Sequence, residues 1–204
     1  MKNRFLVSLT TLMLTALIFT GCTQLPQTEI DAANAAIEEA RVAGAEIYLH
    51  ESFVSLQDSL NVVMLNMESE KSKFMKNYTI VKEQLAGVVQ YAQEVKLSAE
   101  VRKEEMNAEV LKAISEVQEL VAANRQLILD APKGKEGTSA LDAISAELAA
   151  VEVAVDEVNT AVEAADFMAA FDKIFAAKEK AASINTELTE VISKYKASAS
   201  NKKR

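Results

Sequence analysis

The segment LDAISAELAAVEVAVDEVNTAVEAA, residues 141–165, decides the fold class of this chain. Its apolar side chains recur at alternating intervals of three and four residues, which places them along one face of an α-helix. This is the repeat of a coiled coil or a long bundle helix. An isolated helix cannot bury such a face, so the segment must pack against other helices. The face comprises Leu141, Ile144, Leu148, Val151, Val155, Val158, Val162 and Ala165.

The same spacing covers most of the remaining chain. It runs from Ile30 to Met67, from Phe74 to Ala99 and from Met106 to Ile128, and it returns from Phe171 to Tyr195. No segment alternates apolar and polar residues between turn signals, so no strands are predicted. The sequence therefore predicts an all-α fold, an elongated antiparallel helical bundle or coiled coil with long helices.

Composition agrees with helices and limits the classes of partner. The 204 residues include only 5 Gly and 2 Pro, and no Trp. The net charge of −8 argues against nucleic-acid binding and against a helix lying flat on anionic lipid. With a single cysteine, no disulfide can form within the chain, so packing alone must hold the fold.

Turn signals divide the helical pattern. Pro132, Gly134 and Gly137 predict a loop, and Ser139 with Asp142 predicts a capping box that starts the next helix. Asp166 is the predicted N-cap of the last helix. A further break is expected near residues 69–76, and the sequence leaves open whether another lies at 44–50.

These signals predict six regions along the chain. They are a signal peptide at 1–21, a lipidated tether at 22–29, a long-helix region at 30–130, a loop at 131–138, a helical hairpin packing on the long helices at 139–197, and a basic disordered tail at 198–204.

The N-terminus has the organisation of a secretory signal peptide. Lys2 and Arg4 precede an uncharged run from Phe5 to Phe19, and Thr20 and Gly21 lead to the single cysteine, Cys22. The stretch IFTGC resembles the lipobox of bacterial lipoproteins, with Phe19 where leucine is usual. The resemblance implies cleavage before Cys22, acylation of its thiol and attachment to the membrane through the acyl chains. Because Thr23 rather than aspartate follows, it also implies the outer membrane, facing the periplasm, in a Gram-negative host.

A second resemblance lies just beyond the tether. The segment AANAAIEEARVAGAEIYLHESFVSLQDSL, residues 32–60, is similar to an alanine-rich helical domain of unknown function found behind lipoprotein signals. Ala43, Gly44, Ala45 and Tyr48 match its pattern, while His50 stands where proline is frequent. The resemblance implies envelope location and helicity only.

Few residues suggest chemistry. Glu46 and His50, the only histidine, share a helical face and could form half of a metal site, but a bundle metal site needs a second such pair. Met64, Met67 and Met75 are soft donors that could suit Cu(I), although methionine more often fills core gaps. We expect a surface histidine and core methionines, and therefore no catalytic, metal or cofactor site.

The charged segments have simple explanations. The pairs Glu38–Glu39 and Glu104–Glu105 are expected to be solvated helix faces. The terminal NKKR, residues 201–204, could contact anionic peptidoglycan, but a chain ending in Arg204 does not suit covalent linkage through a terminal lysine.

The sequence thus predicts a non-catalytic, lipid-anchored scaffold, spacer or interaction protein of the bacterial envelope. Cys22 is its one predicted site residue. Peptidoglycan, another envelope protein or a second copy of the chain are the candidate partners. The alternative is a chaperone-like helical module whose exposed apolar groove binds a client or ligand.

Overall fold

The computed structural model describes residues 24–132 and 135–201, and these residues are helical apart from short connections. The predicted all-α fold is confirmed: the described part of the chain contains six helices and no strand. The helices are α1 (Gln27–Val42), α2 (Ala45–Tyr48), α3 (His50–Lys71), α4 (Thr79–Asp130), α5 (Lys135–Glu163) and α6 (Phe167–Asn201).

Both uncertain breaks in the long-helix region are present. α1 ends at Val42 because Gly44 adopts a left-handed φ of 94°, which glycine tolerates and which interrupts the helix. The single turn of α2 follows before α3 begins at His50. The second break, expected near 69–76, occupies residues 72–78 between α3 and α4.

Three helix boundaries differ from the predicted ones. α1 begins at Gln27 rather than 30, because Pro26 can stand just before a helix and its carbonyl accepts the amide of Ile30 at 3.0 Å. α5 begins at Lys135, so Ser139 lies inside the helix and the predicted capping box is wrong. α6 continues to Asn201 instead of ending at 197, which its alanine-rich end favours.

The connection between α5 and α6 follows the predicted chemistry. Asp166 is the N-cap as expected, and its carboxylate accepts the backbone N–H of Ala169 at 3.1 Å. Just before it, Ala165 has a left-handed φ of 57° and its amide donates to the carbonyl of Val162, while the amide of Asp166 donates to that of Ala161. These are the two hydrogen bonds of a Schellman motif, so the buried face of α5 ends at Val162, and Ala165 is exposed.

The chain forms two compact units, the first ending at Arg102 and the second beginning at Lys103 within α4. In the first unit, contacts between side chains fix the helix directions. Glu29 and Glu39 of α1 pair with Lys82 and Lys96 of α4, so α1 and α4 are parallel. Asn66 of α3 bonds Gln84, while the carbonyl of Ser52 accepts the hydroxyl of Tyr91, so α3 is antiparallel to both.

The second unit repeats this three-helix arrangement. Glu116 and Asn124 of α4 contact Lys178 and Asn185 of α6, so these helices are parallel. α5 is antiparallel to α6, as the ion pairs Glu157–Lys173 and Glu147–Lys180 show.

Each unit has its own apolar core, built largely from the predicted faces. The first core includes Ile30, Ala33, Ala40, Phe53, Leu56, Val63, Met67, Tyr78, Val81, Leu85, Val88, Ala92, Val95 and Ala99. The second includes Val110, Ile114, Val117, Val121, Ile144, Leu148, Val151, Val155, Val158, Ile174, Ala181, Ile184 and Leu188.

Five members of the predicted faces are exposed instead, and Ala165 at the end of α5 is one of them. Ile47 and Phe74 lie at the two breaks, where the chain leaves the continuous helix that the prediction assumed. Near the end of α6, Val191 and Tyr195 point to solvent and Ile192 is buried in their place.

Candidate functional site

The predicted lipidation site, Cys22, lies outside the described residues. The described chain begins two residues later, and α1 begins five residues after Cys22, at Gln27. Lipidation of Cys22 therefore stays a prediction, and so does the contact of Lys202, Lys203 and Arg204 with peptidoglycan, since these residues also lie outside the described part.

His50 and Glu46 do not face a common ligand position. The Nδ1 atom of His50 lies 3.3 Å from the backbone carbonyl oxygen of Glu46, so the ring contacts the helix backbone instead of the carboxylate. His50 is exposed on the first turn of α3. Within 24–132 and 135–201, no group of three or more His, Cys, Asp and Glu side chains could hold a metal ion.

The three methionines occupy different environments. Met67 is buried in the first core, where Met64 packs against it from a partly exposed position. Met75 lies in the loop between α3 and α4 and is exposed. Two of the three thioethers therefore serve packing, which leaves one soft donor on the surface.

The Glu38–Glu39 pair is tied to basic side chains. Glu38 accepts two hydrogen bonds from the guanidinium of Arg41 one turn along α1, and these bonds hold the pKa of the Glu38 carboxyl below its ordinary value. Glu39 accepts a hydrogen bond from Lys96 of α4 at 3.0 Å. Both carboxylates thus stabilise exposed helix faces, as expected for solvated acidic residues.

The loop at residues 72–78, hereafter the α3–α4 loop, holds the most exposed large apolar side chains among residues 24–102. Phe74 is fully exposed and Met75 is 83% exposed. The loop returns to the core at Tyr78, which is buried, and Asn77 accepts the amide of Thr79 at 3.1 Å to start α4. Phe74 and Met75 therefore project from a connection that is anchored at its C-terminal end.

The second unit contains a surface cleft of about 380 Å³ between α4 and α5. Its apolar wall includes Ile128 and Leu129 on one helix and Leu148 on the other, and its polar edge includes the ion pair between Arg125 and Glu152. The volume lies at the lower end of the range for small-molecule sites. The cleft can accommodate an apolar group of modest size with a charged or polar end.

The buried polar residue Asn124 was missed by the sequence analysis. Its amide donates to the carbonyl of Ala181 at 2.8 Å, and its oxygen accepts the amide of Asn185 at 2.8 Å. The signal for it was present, because the apolar face of α4 goes from Val121 to Ile128 and the one face position between them, 124, is polar. A buried asparagine bonded across helices fixes which residues face each other, as polar core positions do in coiled coils.

Across 24–132 and 135–201, none of the helices combines the length and the apolar character needed to cross a bilayer. Comparison with protein-family models finds no match, and comparisons with curated proteins and with solved structures find none either.

Proposed function

We propose that this chain is a lipid-anchored helical scaffold of the bacterial envelope, held in the outer membrane through acyl chains on Cys22 and facing the periplasm. It has no catalytic role in this proposal and acts by binding another envelope component. Peptidoglycan, a second envelope protein and another copy of the chain are the candidates for that component.

The observation that carries the scaffold proposal is the burial of the long apolar faces within each unit. Leu56, Leu85, Val158 and Ile174 are among the side chains with no appreciable exposure. A module that captures unfolded clients needs a large exposed apolar face, whereas these faces are used in intramolecular packing. The surfaces left over carry interhelical ion pairs such as Glu29–Lys82, which suit a stable structural element.

The membrane part of the proposal is tested by Cys22→Ser, because serine lacks the thiol that accepts the acyl chain. Cells expressing the parent or the variant are grown with an alkyne-tagged fatty acid and their membranes are fractionated. We expect the parent to carry the tag and to sediment with the outer membrane, and Cys22→Ser to lack the tag. Thr23→Ser, a change next to the cysteine that keeps the thiol, is the matched control and should be labelled like the parent. An unlabelled parent would contradict lipidation.

The cleft of the second unit favours one alternative function, binding of a small amphipathic ligand or client segment. Leu129 lines this cleft and is itself exposed, so Leu129→Glu should alter the cleft without removing a core side chain. Leu111→Glu is the matched control, since Leu111 is an exposed leucine of α4 outside the cleft. A fluorescent apolar dye that binds the parent and Leu111→Glu, but not Leu129→Glu, would favour the alternative. A parent that does not bind the dye would favour the scaffold.

A further inference from the structure

The α3–α4 loop combines exposed apolar side chains with positive charge. Phe74 and Met75 occupy its tip, and the segment from Lys71 to Asn77 has three lysines and no acidic residue, in a chain whose net charge is −8. Lys71 and Lys73 pair with Glu68 and Glu70 on the last turns of α3, which compensates part of their charge, so the excess positive charge of the loop lies at Lys76. Apolar side chains flanked by lysines are the composition of segments that enter the interface of an anionic membrane.

The fold places this loop at the same end of the first unit as the start of α1. Glu29, in the first turn of α1, pairs with Lys82 in the first turn of α4 at 2.6 Å. The α3–α4 loop leads directly into that turn of α4 at Thr79. The turn between α1 and α3, at residues 43–49, is at the opposite end of the unit, because α1 runs parallel to α4.

The start of α1 is also where the predicted anchor joins the unit. Gln27 follows Cys22 by five positions, and five residue steps span at most about 18 Å even when fully extended. Leu25, in this short connection, and Ile80, in the first turn of α4, add exposed apolar side chains to the same end. A membrane that holds acyl chains on Cys22 is therefore within reach of this end of the unit.

We propose that the α3–α4 loop is a second membrane contact, in which Phe74 and Met75 enter the boundary between headgroups and acyl chains. The ammonium group of Lys76 would lie at the phosphates of anionic phospholipids, with its alkyl stem along the apolar boundary. This contact rests on the proposed lipidation of Cys22 and would fix how the first unit is oriented on the membrane. The α3–α4 loop would contact the membrane, and the turn at 43–49 would point away from it.

The opposite end of the unit provides an internal comparison. It also exposes apolar side chains, Val42 and Ile47. Its nearby charged residues, Arg41, Glu46 and Glu51, are of both signs, whereas residues 71–77 include three lysines and no acidic residue. Charge therefore favours the loop end for contact with anionic lipid.

The absence of tryptophan from the sequence permits a direct measurement. The full-length gene is expressed with Phe74→Trp, and the processed protein is purified from membranes and reconstituted into phosphatidylcholine–phosphatidylglycerol vesicles with brominated acyl chains. Bromine quenches indole fluorescence only at short range. We expect brominated lipid to reduce the emission of the position-74 reporter about twofold, as for a side chain at the headgroup–acyl boundary. Ile47→Trp, at the opposite end of the unit, is the matched reporter and should keep its emission.

A charge variant tests the role of the lysines. In the Phe74→Trp background, Lys76→Glu should weaken insertion of the loop at least about fivefold, since each lysine near an anionic surface contributes about that factor. Lys112→Glu changes the net charge equally at an exposed site in the second unit and should leave quenching unchanged. Equal quenching in both charge variants would overturn the proposed headgroup contact.

Flotation of the same vesicles separates the failure of the loop contact from the failure of the anchor. Protein that floats with the vesicles and is quenched at position 74 supports the proposal. Protein that floats but is not quenched there overturns the loop contact and leaves the anchor in place. A reporter whose emission shifts only as protein concentration rises would assign the loop to a second copy of the chain, which also overturns the membrane contact. Protein that does not float overturns both the anchor and the loop contact.

Discussion

Replacing Asn124 by aspartate tests the packing of the second unit at its one buried polar position among the described residues. The two side chains have nearly the same shape, so Asn124→Asp leaves no cavity. It removes the amide that donates to the carbonyl of Ala181 at 2.8 Å and places a carboxylate oxygen there instead. The oxygen that accepts the amide of Asn185 is retained. The substitution therefore changes polarity and charge alone.

The structure gives the magnitude of this change. Loss of one buried hydrogen bond costs about 1 kcal/mol of unfolding free energy. A buried charge without a cationic partner costs about 3 kcal/mol or more. At neutral pH, Asn124→Asp should therefore destabilise the second unit by about 4 kcal/mol, a large part of the 5–15 kcal/mol that is typical of a whole protein domain.

The cost should depend on pH with a definite sign. Burial and the facing carbonyl raise the pKa of the introduced carboxyl in the folded state above its unfolded value of about 3.9. A raised folded pKa means that the protonated form is favoured on folding, so the loss of stability is smallest below the unfolded pKa and grows as pH rises. Near pH 4 the neutral acid can also donate its proton to the carbonyl of Ala181. The deficit should then fall to about 1 kcal/mol, because only the less favourable hydrogen-bond geometry remains.

Urea denaturation followed by helical circular dichroism, at about pH 4 and pH 7, measures this deficit against the parent. Asn159→Asp makes the same chemical change on an exposed position of α5 and should shift stability by no more than about 0.5 kcal/mol at either pH. If Asn124→Asp unfolds like Asn159→Asp at neutral pH, Asn124 is not buried against Ala181 and the pairing of α4 with α6 is wrong.

Two further predictions concern the first unit. Gly44→Ala should lower the free energy of unfolding by about 1–2 kcal/mol, because φ at this position is 94° and the added Cβ would lie 2.8 Å from ring atoms of Tyr48. Gly87 lies inside α4 with open space around it, so Gly87→Ala should raise the free energy of unfolding by about 1 kcal/mol. Urea titrations measure both changes. Lys82 holds the pKa of Glu29 below its ordinary 4.5 through a hydrogen bond, so this carboxylate stabilises the fold above its unfolded pKa and loses that effect as pH falls. The melting temperature of Lys82→Met should therefore be lower than the parent's at neutral pH and converge with it in acid; equal melting curves at neutral pH would refute this role.

The buried faces of the long helices could be predicted from the sequence because apolar residues recur at intervals of three and four over many turns, which places them on one side of a helix. Val151, Val155 and Val158 illustrate this: all three lie in the second core as their spacing requires. Helix boundaries were harder. Asp166 is the N-cap that its residue type and position predict, and its side chain accepts the amide of Ala169. A similar signal at Ser139 lies inside a helix that has already begun. A capping sequence favours a helix start without preventing an earlier one, since good helix formers can extend the helix backwards.

Asn124 shows a second limit of the pattern. The periodicity of apolar residues identifies which face of a helix is buried, but a polar residue on that face counts as an interruption. Whether such a residue is buried depends on a partner elsewhere in the chain, here Asn185, which follows it by 61 positions. Burial without a partner would cost several kcal/mol, so local sequence cannot decide the matter.

The α3–α4 loop shows why the candidate membrane contact could not be identified from the sequence. Met67, Phe74, Tyr78 and Val81 keep the helical spacing across the loop, so the pattern assigned Phe74 to the core. The seven residues from 72 to 78 equal one heptad, and a break of that length leaves the phase unchanged on either side. The heptad spacing therefore does not reveal this break, whereas the polar residues around it do predict a break. Once the chain leaves the helix at Ser72, Phe74 lies outside the core, which Met67 before it and Tyr78 after it both enter. An aromatic side chain released in this way, beside lysines and at the end where the anchor joins, is free to bind a surface outside the protein.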